Sequence, residues 1–289
     1  MATDDGSATT RPPGHERMRE HREPEGDEAR HREDQAREAE KLDAKTTHEV
    51  IRREGEHELE RSSDALFWSG LAAGLSMGFS FLVDALLRTY LPDATWRPLV
   101  AKLGYTVGFL IVILGSQQLF TENTLTPIVP LLSKKSSTSA RNVGRLWSVV
   151  LVANMIGVLL FALVLGRLAV VEPDVQRALS DIAAEAMRPD VWTTLLRAVY
   201  AGWLIALMVW MLPGAETSKI AVIVIMTWII GVAGFAHVIA GGTEVFYAAI
   251  RGEASWTEAV FGFLLPTLIG NIFGGVTLVA ALNHAQAEG

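Results

Sequence analysis

The sequence predicts an all-α integral membrane protein whose six transmembrane helices form two inverted repeats of three helices each. After residue 64 the chain alternates apolar runs, each long enough to cross a bilayer, with short polar links. Polar residues or glycines interrupt the second and fifth runs, which predicts that helices two and five are broken. The two halves of the chain also share three short motifs in the same order, which predicts the repeat.

The first 61 residues differ in composition from the rest of the chain. They contain 12 Lys/Arg and 18 Asp/Glu and few apolar side chains that could form a core. We therefore expect a charged cytoplasmic tail over residues 1–61, largely disordered, whose later part forms a helix leading into the membrane. The six-span domain is expected over residues 62–284 and a short C-terminal tail over 285–289. The first 60 residues lack the apolar stretch of a signal peptide.

Four of the six apolar runs are predicted to be unbroken helices, at about 65–87, 146–166, 191–212 and 257–281. The second run begins near Leu103 and meets the polar segment GSQQLFTENTLTP, so a break is expected near 115–121. The fifth begins near Ile220 and meets GFAHVIAGGTEV, so a break is expected near 237–243. Asp84, near the end of the first span, is expected to reach interfacial water and is given no role.

The repeat is carried by three short motifs that occur in the same order in each half. They are Ala-Gly at 73–74 and 201–202, Thr-Glu at 121–122 and 243–244, and Asn-x-x-Gly at 154–157 and 271–274. Thr121 and Thr243 are candidate N-caps of a second half-helix, with Glu122 and Glu244 in its first turn. Because each half has an odd number of spans, the halves lie in opposite orientation. Paired, interrupted segments in inverted halves indicate a transport pathway.

Charge in the links predicts the orientation. The link after the second span carries four cations and no acid: Lys134, Lys135, Arg141 and Arg145. Links rich in Lys and Arg are typical of the cytoplasmic side. We therefore place this link and both termini in the cytoplasm.

His237 is the only ionisable residue between Ile220 and Thr243. An ionisable side chain at membrane depth is costly and indicates a functional site, although a histidine that only hydrogen-bonds a neighbouring helix fits the segment as well. Half-helix N-termini near Thr121 and Thr243 would attract an anion at the same depth. Glu122 and Glu244 oppose this interpretation unless their carboxylates point away from the pathway.

In four segments the sequence resembles the formate/nitrite transporter family: LFTENT, HVIAGG, RLWSVVLVANMIG and LPTLIGNIFGG. The resemblance covers about residues 60–285. It implies an aquaporin-like fold and a homopentamer in the inner (cytoplasmic) membrane in which each protomer has its own pore. It also implies a small monovalent anion as the substrate, such as formate, nitrite or hydrosulfide, in some members carried together with a proton.

The resemblance also assigns roles to single residues. His237 matches the central pore histidine of the family, and Thr121 matches the threonine that bonds to it. Leu119 and Phe120 match the apolar pair that narrows the pore. Asn154 and Asn271 match the asparagines of spans three and six, for which the sequence leaves a pore-lining and a loop-bracing role open.

Arg145 stands where formate channels tend to have a lysine near the inner mouth. Three positions depart from the formate-channel pattern, namely Gln118, Ala236 and Gly241. In formate channels the last two are usually an acid just before the histidine and an asparagine four positions after it. These departures change hydrogen bonding and charge around the histidine, so formate is not assumed to be the substrate.

Two other functions remain open: a pore for a neutral solute, and a membrane scaffold or sensor that acts through its charged tail. The aquaporin Asn-Pro-Ala motif is absent, which weakens the first. The chain has no phosphate-binding glycine loop and no nucleophile with an oriented base, so no enzyme activity is expected. It has no cysteine, and neither a cofactor nor a metal is expected. The expected partners are other copies of the chain, the lipid bilayer and a small anion, without nucleic acid.

Overall fold

The protein is described here by a computed structural model covering residue 1, residues 44–134, residues 136–282 and residue 286. The chain divides into two units, Met1–Lys41 and Leu42–Gly289. Most of the segment expected to be disordered, residues 2–43, lies outside the described residues. The compact unit begins at Leu42, well before the domain boundary expected after residue 61.

Within the described residues, six stretches of helix are long and apolar enough to cross a membrane, which confirms the predicted number of spans. They are Ser63–Tyr90, Arg97–Leu114, Ser137–Arg167, Val191–Gly214, Glu216–Ala233 and Glu258–Gly275. The third begins nine residues before the expected start at 146. The second begins at Arg97 instead of near Leu103, because Pro98 occupies the first turn, where its missing N–H costs no hydrogen bond.

The helices are numbered in chain order. Their bounds are α1 Ala44–Glu60, α2 Ser63–Tyr90, α3 Arg97–Ala101, α4 Thr106–Leu114, α5 Ile128–Lys134, α6 Ser137–Arg167, α7 Pro173–Met187, α8 Val191–Met211, α9 Lys219–Ala233, α10 Ala240–Arg251 and α11 Leu265–Gly275. Short 3₁₀ turns occupy Glu122–Thr124, Leu212–Gly214 and Glu216–Ser218, and π-helical segments occupy Glu258–Leu264 and Val276–Ala281.

The two segments expected to contain breaks lack α-helix, over residues 115–127 in the first and 234–239 in the second. After α4 ends at Leu114, only the 3₁₀ turn at Glu122–Thr124 precedes α5. After α9 ends at Ala233, Gly234 adopts a left-handed conformation with φ of 64°, which ends the helix, and α10 begins at Ala240. This second gap begins at residue 234, three residues before the start of the range 237–243 expected from the sequence.

Small residues let two pairs of helices approach closely. α2 packs against α6, and α8 packs against α11. A Cβ atom on Gly74 of α2 would lie 2.3 Å from the backbone oxygen of Asn154 in α6. A Cβ atom on Gly202 of α8 would lie at the same distance, 2.3 Å, from the backbone oxygen of Asn271 in α11. Both pairs therefore meet backbone to backbone at an asparagine.

α1 belongs to the compact unit although its sequence is highly charged. Ile51 is fully buried, and a Cβ atom on Gly55 would lie 2.0 Å from the backbone oxygen of Thr126, so the helix lies directly on the segment before α5. Its polar face carries ion pairs between Arg52 and both Glu49 and Glu56. The apolar stripe that docks α1 is short, which is why composition alone assigned this segment to the tail.

The expectation that Asp84 reaches interfacial water is wrong. Its side chain is only 2% exposed and its Oδ2 atom lies 2.6 Å from Nζ of Lys102. A buried carboxylate requires a partner of opposite charge, and Lys102 at the start of the second span supplies it.

Candidate functional site

Among the cavities of the described residues, two reach residues of the predicted site, and we call them cavity A and cavity B. Cavity A has a volume of about 520 Å³ and reaches His237. Cavity B has a volume of about 380 Å³ and reaches Gln118 and Asn123. The two cavities share no lining residue.

The cavities lie at opposite ends of the bundle, because three helical stretches contact cavity A with one end and cavity B with the other. The second span lines cavity A with Lys102 and Tyr105 and cavity B with Ile113. α8 lines cavity A with Arg197, near its start, and cavity B with Val209, near its end. α9 runs the opposite way, from Lys219 at cavity B to residues 230–234 at cavity A.

Between the cavities lies a segment of buried side chains. Leu119, Phe120 and Thr121 are at most 1% exposed and line neither cavity. The ring of Phe109 packs edge-on against the imidazole of His237, with 5.0 Å between ring centres. The residues that the sequence predicted to form the constriction of a pore are therefore buried, and the adjoining Thr121 contacts His237.

Both ring nitrogens of His237 are engaged. Nε2 lies 2.7 Å from the hydroxyl oxygen of Thr121, and Nδ1 accepts a hydrogen bond of 3.1 Å from the backbone N–H of Ala240. Because the backbone N–H can only donate, Nδ1 carries no proton, and the proton of the neutral ring is on Nε2. Nε2–H thus donates to Thr121, which leaves the hydroxyl hydrogen of Thr121 available to another acceptor.

Asn154 holds the segment before Thr121 in place. Its Oδ1 atom accepts a 2.9 Å hydrogen bond from the backbone N–H of Phe120. Its Nδ2 atom donates to the backbone oxygens of Gly70, at 2.7 Å, and Gln118, at 2.9 Å. This one side chain of α6 therefore makes two hydrogen bonds to the segment and one to α2.

Asn271 makes the same set of contacts in the other half. Its Oδ1 atom accepts from the backbone N–H of Val238 at 2.9 Å, and its Nδ2 atom donates to the oxygens of Ala198 and Ala236. Ala198 lies in α8, and Val238 and Ala236 flank His237. Neither Asn154 nor Asn271 lines a cavity, so both contact backbone and brace the two irregular segments.

Thr121 occupies the N-cap position of the short 3₁₀ turn but not of an α-helix, and Thr243 is not an N-cap. The 3₁₀ turn after Thr121 has no side-chain cap, because the Thr121 hydroxyl bonds to His237, and the next α-helix begins only at Ile128. Ile239 occupies the N-cap of α10, so Thr243 lies within the first turn.

The two glutamates that follow these threonines face different cavities. Glu122 begins the 3₁₀ turn and lines cavity B, and its Oε1 atom has no hydrogen-bond partner among the described residues. Glu244 lies in α10, is 8% exposed and lines cavity A. The sequence paired these residues by motif but did not show that each carboxylate borders a different cavity.

Arg145 lies at the cavity B end of the bundle but does not line that cavity. Its guanidinium donates to the backbone oxygens of Leu59 and Arg61 and to the hydroxyl of Ser63. It therefore fastens the junction between α1 and α2. Gln118 also contacts α1, because its Nε2 atom donates to Glu58 at 2.8 Å.

The cations of cavity A were not predicted from the sequence. Lys102, Arg188 and Arg197 line it together with two carboxylates, Glu185 and Glu244. These cations stand near the ends of spans or in links, where Lys and Arg are common for reasons unrelated to a site. A signal was available for Lys102, since it follows the first apolar residues of the second span.

The family model described as Formate/nitrite transporter matches residues 45–285. The chain is 40% identical over 243 residues to the Inner membrane protein YfdC of Escherichia coli (strain K12), which covers 84% of this chain and 78% of the relative. It is 26% identical over 237 residues to the Formate channel BtFdhC of Bacillus thuringiensis, with 80% of this chain and 90% of the relative covered.

Two solved structures share the fold. An FNT family ion channel superposes with a TM-score of 0.73 at 18% identity, covering 83% of this chain and 98% of that one. A pentameric formate channel with formate bound superposes with a TM-score of 0.67 at 19% identity, covering 78% and 98%.

Proposed function

Since the chain belongs to the formate/nitrite transporter family, an integral membrane transport family, we propose that it conducts small monovalent anions of weak acids through each protomer. The observation that carries the proposal is the buried pair of His237 and Thr121 between two cavities at opposite ends of the bundle. An unpaired anion is very costly in an apolar medium, so its path needs hydrogen-bond donors at the driest point.

The His237–Thr121 pair can supply that donor. With the proton of the neutral imidazole fixed on Nε2, the Thr121 hydroxyl accepts from the ring and can donate to a substrate oxygen. Leu119 and Phe120 exclude water there, which strengthens the hydrogen bond and raises the barrier to an ion that lacks one.

We further propose that a proton passes with the anion, so that a neutral acid crosses the apolar constriction. To supply that proton His237 must first gain one at Nδ1. Nδ1 now accepts from Ala240 N–H, so the imidazole must turn away from that backbone group before it can become an imidazolium. Proton coupling in this proposal therefore includes a rotation of the His237 ring.

The proposed assembly is a homopentamer in the inner membrane, with its two halves as inverted repeats and helices two and five broken. The matching contacts of Asn154 and Asn271 support the repeat. The pentameric formate channel of the same fold supports the assembly. We place cavity B on the cytoplasmic side, because α1 and the start of α6, where Arg145 contacts Leu59, lie at that end.

A pore for neutral solutes is the second candidate, since the four carboxylates that line cavity B disfavour an anion there. Flux into liposomes separates the candidates. Purified protein is reconstituted, and uptake of formate, nitrite, acetate and hydrosulfide is compared with that of water and glycerol. We expect anion uptake that rises as external pH falls toward about 6.5, the ordinary pKa of histidine.

The key variant is His237→Asn, which keeps polarity but cannot carry the proton. We expect it to form the same oligomer and lose the pH dependence. His57→Asn, the same exchange at an exposed position of α1, is the matched control and should behave as the unmodified protein. Passage of glycerol without any anion, or an unchanged pH profile in His237→Asn, contradicts the proposal.

A further inference from the structure

The two cavities carry charge of opposite sign. Lys102, Arg188 and Arg197 line cavity A with Glu185 and Glu244, which gives three cations against two carboxylates. Among the described residues, cavity B is lined by one cation, Lys219, against four carboxylates, namely Glu54, Glu58, Glu122 and Glu216.

Direct ion-pair partners outside the linings do not remove this difference. At cavity A, Asp84 pairs with Lys102 at 2.6 Å and Arg88 pairs with Glu185 at 2.6 Å, so one of each sign is added. At cavity B, Arg61 pairs with Glu58 at 3.1 Å. With these partners included, cavity A remains net positive and cavity B remains net negative.

The polarity is built into the fold by separate elements. α1 brings Glu54 and Glu58 to cavity B, and its position is fixed by the burial of Ile51 and by the bond from Gln118 to Glu58. At cavity A, the ion pair with Asp84 fixes the position of Lys102, whose side chain is 23% exposed. The charges that set the sign are thus on packed helices.

We propose that the pathway is electrostatically polarised, so that cavity A concentrates small anions next to His237 and cavity B excludes them. A cleft lined by one sign of charge between low-dielectric walls focuses the field and raises the local concentration of the opposite ion. This proposal adds a charge asymmetry to the proposed transport pathway. The role of that asymmetry in transport rests on the proposed function.

Polarity does not drive net transport, since without a gradient the flux in the two directions must balance. The polarity instead determines on which side of the constriction the anion is held. An anion entering from cavity A should reach half-saturation at a lower concentration than one entering from cavity B, and the current should rectify under voltage. With cavity B in the cytoplasm, the anion would be held on the external side of the constriction.

The local charge can be measured directly, because the natural chain contains no cysteine. Single cysteines are introduced as Ala186→Cys in cavity A, Ser116→Cys in cavity B and Ala169→Cys at an exposed link as reference. The full-length oligomer in detergent is treated with methanethiosulfonate reagents of opposite charge, the anionic sulfonatoethyl and the cationic trimethylammonium-ethyl compound. The ratio of the two rates is divided by the ratio at Ala169→Cys.

We expect the normalised anionic-to-cationic ratio to be about tenfold higher at Ala186→Cys than at Ser116→Cys in low salt. It should approach equality in about 1 M salt, where the Debye length is about 3 Å. A difference below about threefold, a reversed order, or a difference insensitive to salt would overturn the polarity.

Charge variants assign the effect to residues. Glu54→Gln with Glu216→Gln should raise the anionic ratio at Ser116→Cys, and Arg197→Gln should lower it at Ala186→Cys. If neither labelling ratio changed, the assignment of the charge to these residues would be overturned. The labelling requires no transport, so its failure is distinguishable from failure of the proposed function, which the liposome flux measures. A polarised protein without anion flux would refute the function alone.

Discussion

The hydroxyl oxygen of Thr121 lies 2.7 Å from Nε2 of His237, although 116 residues separate the two positions in the chain. Each residue lies in one of the two irregular segments that Asn154 and Asn271 brace. This hydrogen bond therefore joins the two halves of the chain on the proposed pathway.

The first prediction tests the Thr121 hydroxyl. Thr121→Val removes a hydrogen bond of about 1–2 kcal/mol while keeping the volume, so anion flux should fall about tenfold or more. The control is Thr227→Val in α9, also fully buried, whose hydroxyl donates only to the backbone oxygen of Ile223 in its own helix. Equal flux in the two variants would exclude a role for the hydroxyl in permeation.

The second prediction concerns the bracing asparagines. Asn154→Leu and Asn271→Leu each remove three buried hydrogen bonds and leave the backbone groups without partners. We expect each to lower the unfolding free energy by about 3 kcal/mol or more. Thermal unfolding of the detergent-solubilised oligomer measures the change, with Asn142→Leu near the start of α6 as the control. A melting temperature matching the control would show that the braces are dispensable.

The third prediction concerns the ion pair of Asp84 and Lys102. Asp84→Asn leaves a largely buried ammonium without its counter-charge and should destabilise the protein by about 3–5 kcal/mol. Glu185→Gln breaks the more exposed pair with Arg88 and should cost about 0–1 kcal/mol. The double variant Asp84→Leu, Lys102→Leu should recover much of the loss. Equal effects of the two single variants would mean that the buried pair contributes no more than a surface pair.

The fourth prediction concerns pH and the docking of α1. Burial, followed by the nearby Glu58, raises the pKa of Glu54 above its ordinary value. The docked helix therefore favours the protonated carboxyl group of Glu54. Docking weakens as the pH rises through the raised pKa. Glu54→Gln should slow tryptic cleavage within α1 at pH 8 and reduce the pH dependence.

Glu49 on the same helix is the matched control, because hydrogen bonds from Arg52 and then Arg53 lower its pKa to about 2. Its contribution is complete above the unfolded-state pKa and is lost only as the pH falls toward about 2. Glu49→Gln should therefore leave cleavage at pH 8 unchanged or faster. Faster cleavage in Glu54→Gln than in Glu49→Gln would contradict the assignment.

The spans and the paired segments could be predicted from the sequence because both depend on local composition. Apolar runs of bilayer length mark the spans, and Asn154 and Asn271 fall at matching places in the two halves. The pairing of Thr121 with His237 was available only through the family resemblance, since nothing local connects two residues so far apart.

Other features depend on contacts that no local pattern encodes. Lys102 and Asp84 each looked interfacial, and only their packing shows that they neutralise one another. Thr243 looked like a cap because a threonine precedes an acid, but the left-handed Gly234 ends the previous helix early enough for α10 to start before it. α1 looked like part of the charged tail because most of its side chains are polar. A few buried apolar contacts are nevertheless enough to dock it.

The close contacts of Gly74 with Asn154 and of Gly202 with Asn271 also bear on how fast the pathway can open. Each asparagine contacts a glycine through its backbone and holds an irregular segment through its side chain. Each segment is therefore rigidly connected to its pair of helices. Helices without intervening side chains cannot slide without losing that contact. If the proposed pathway opens by rotation of Phe120 and His237, we expect the permeation rate to follow side-chain motion and not the slower collective movement of helices.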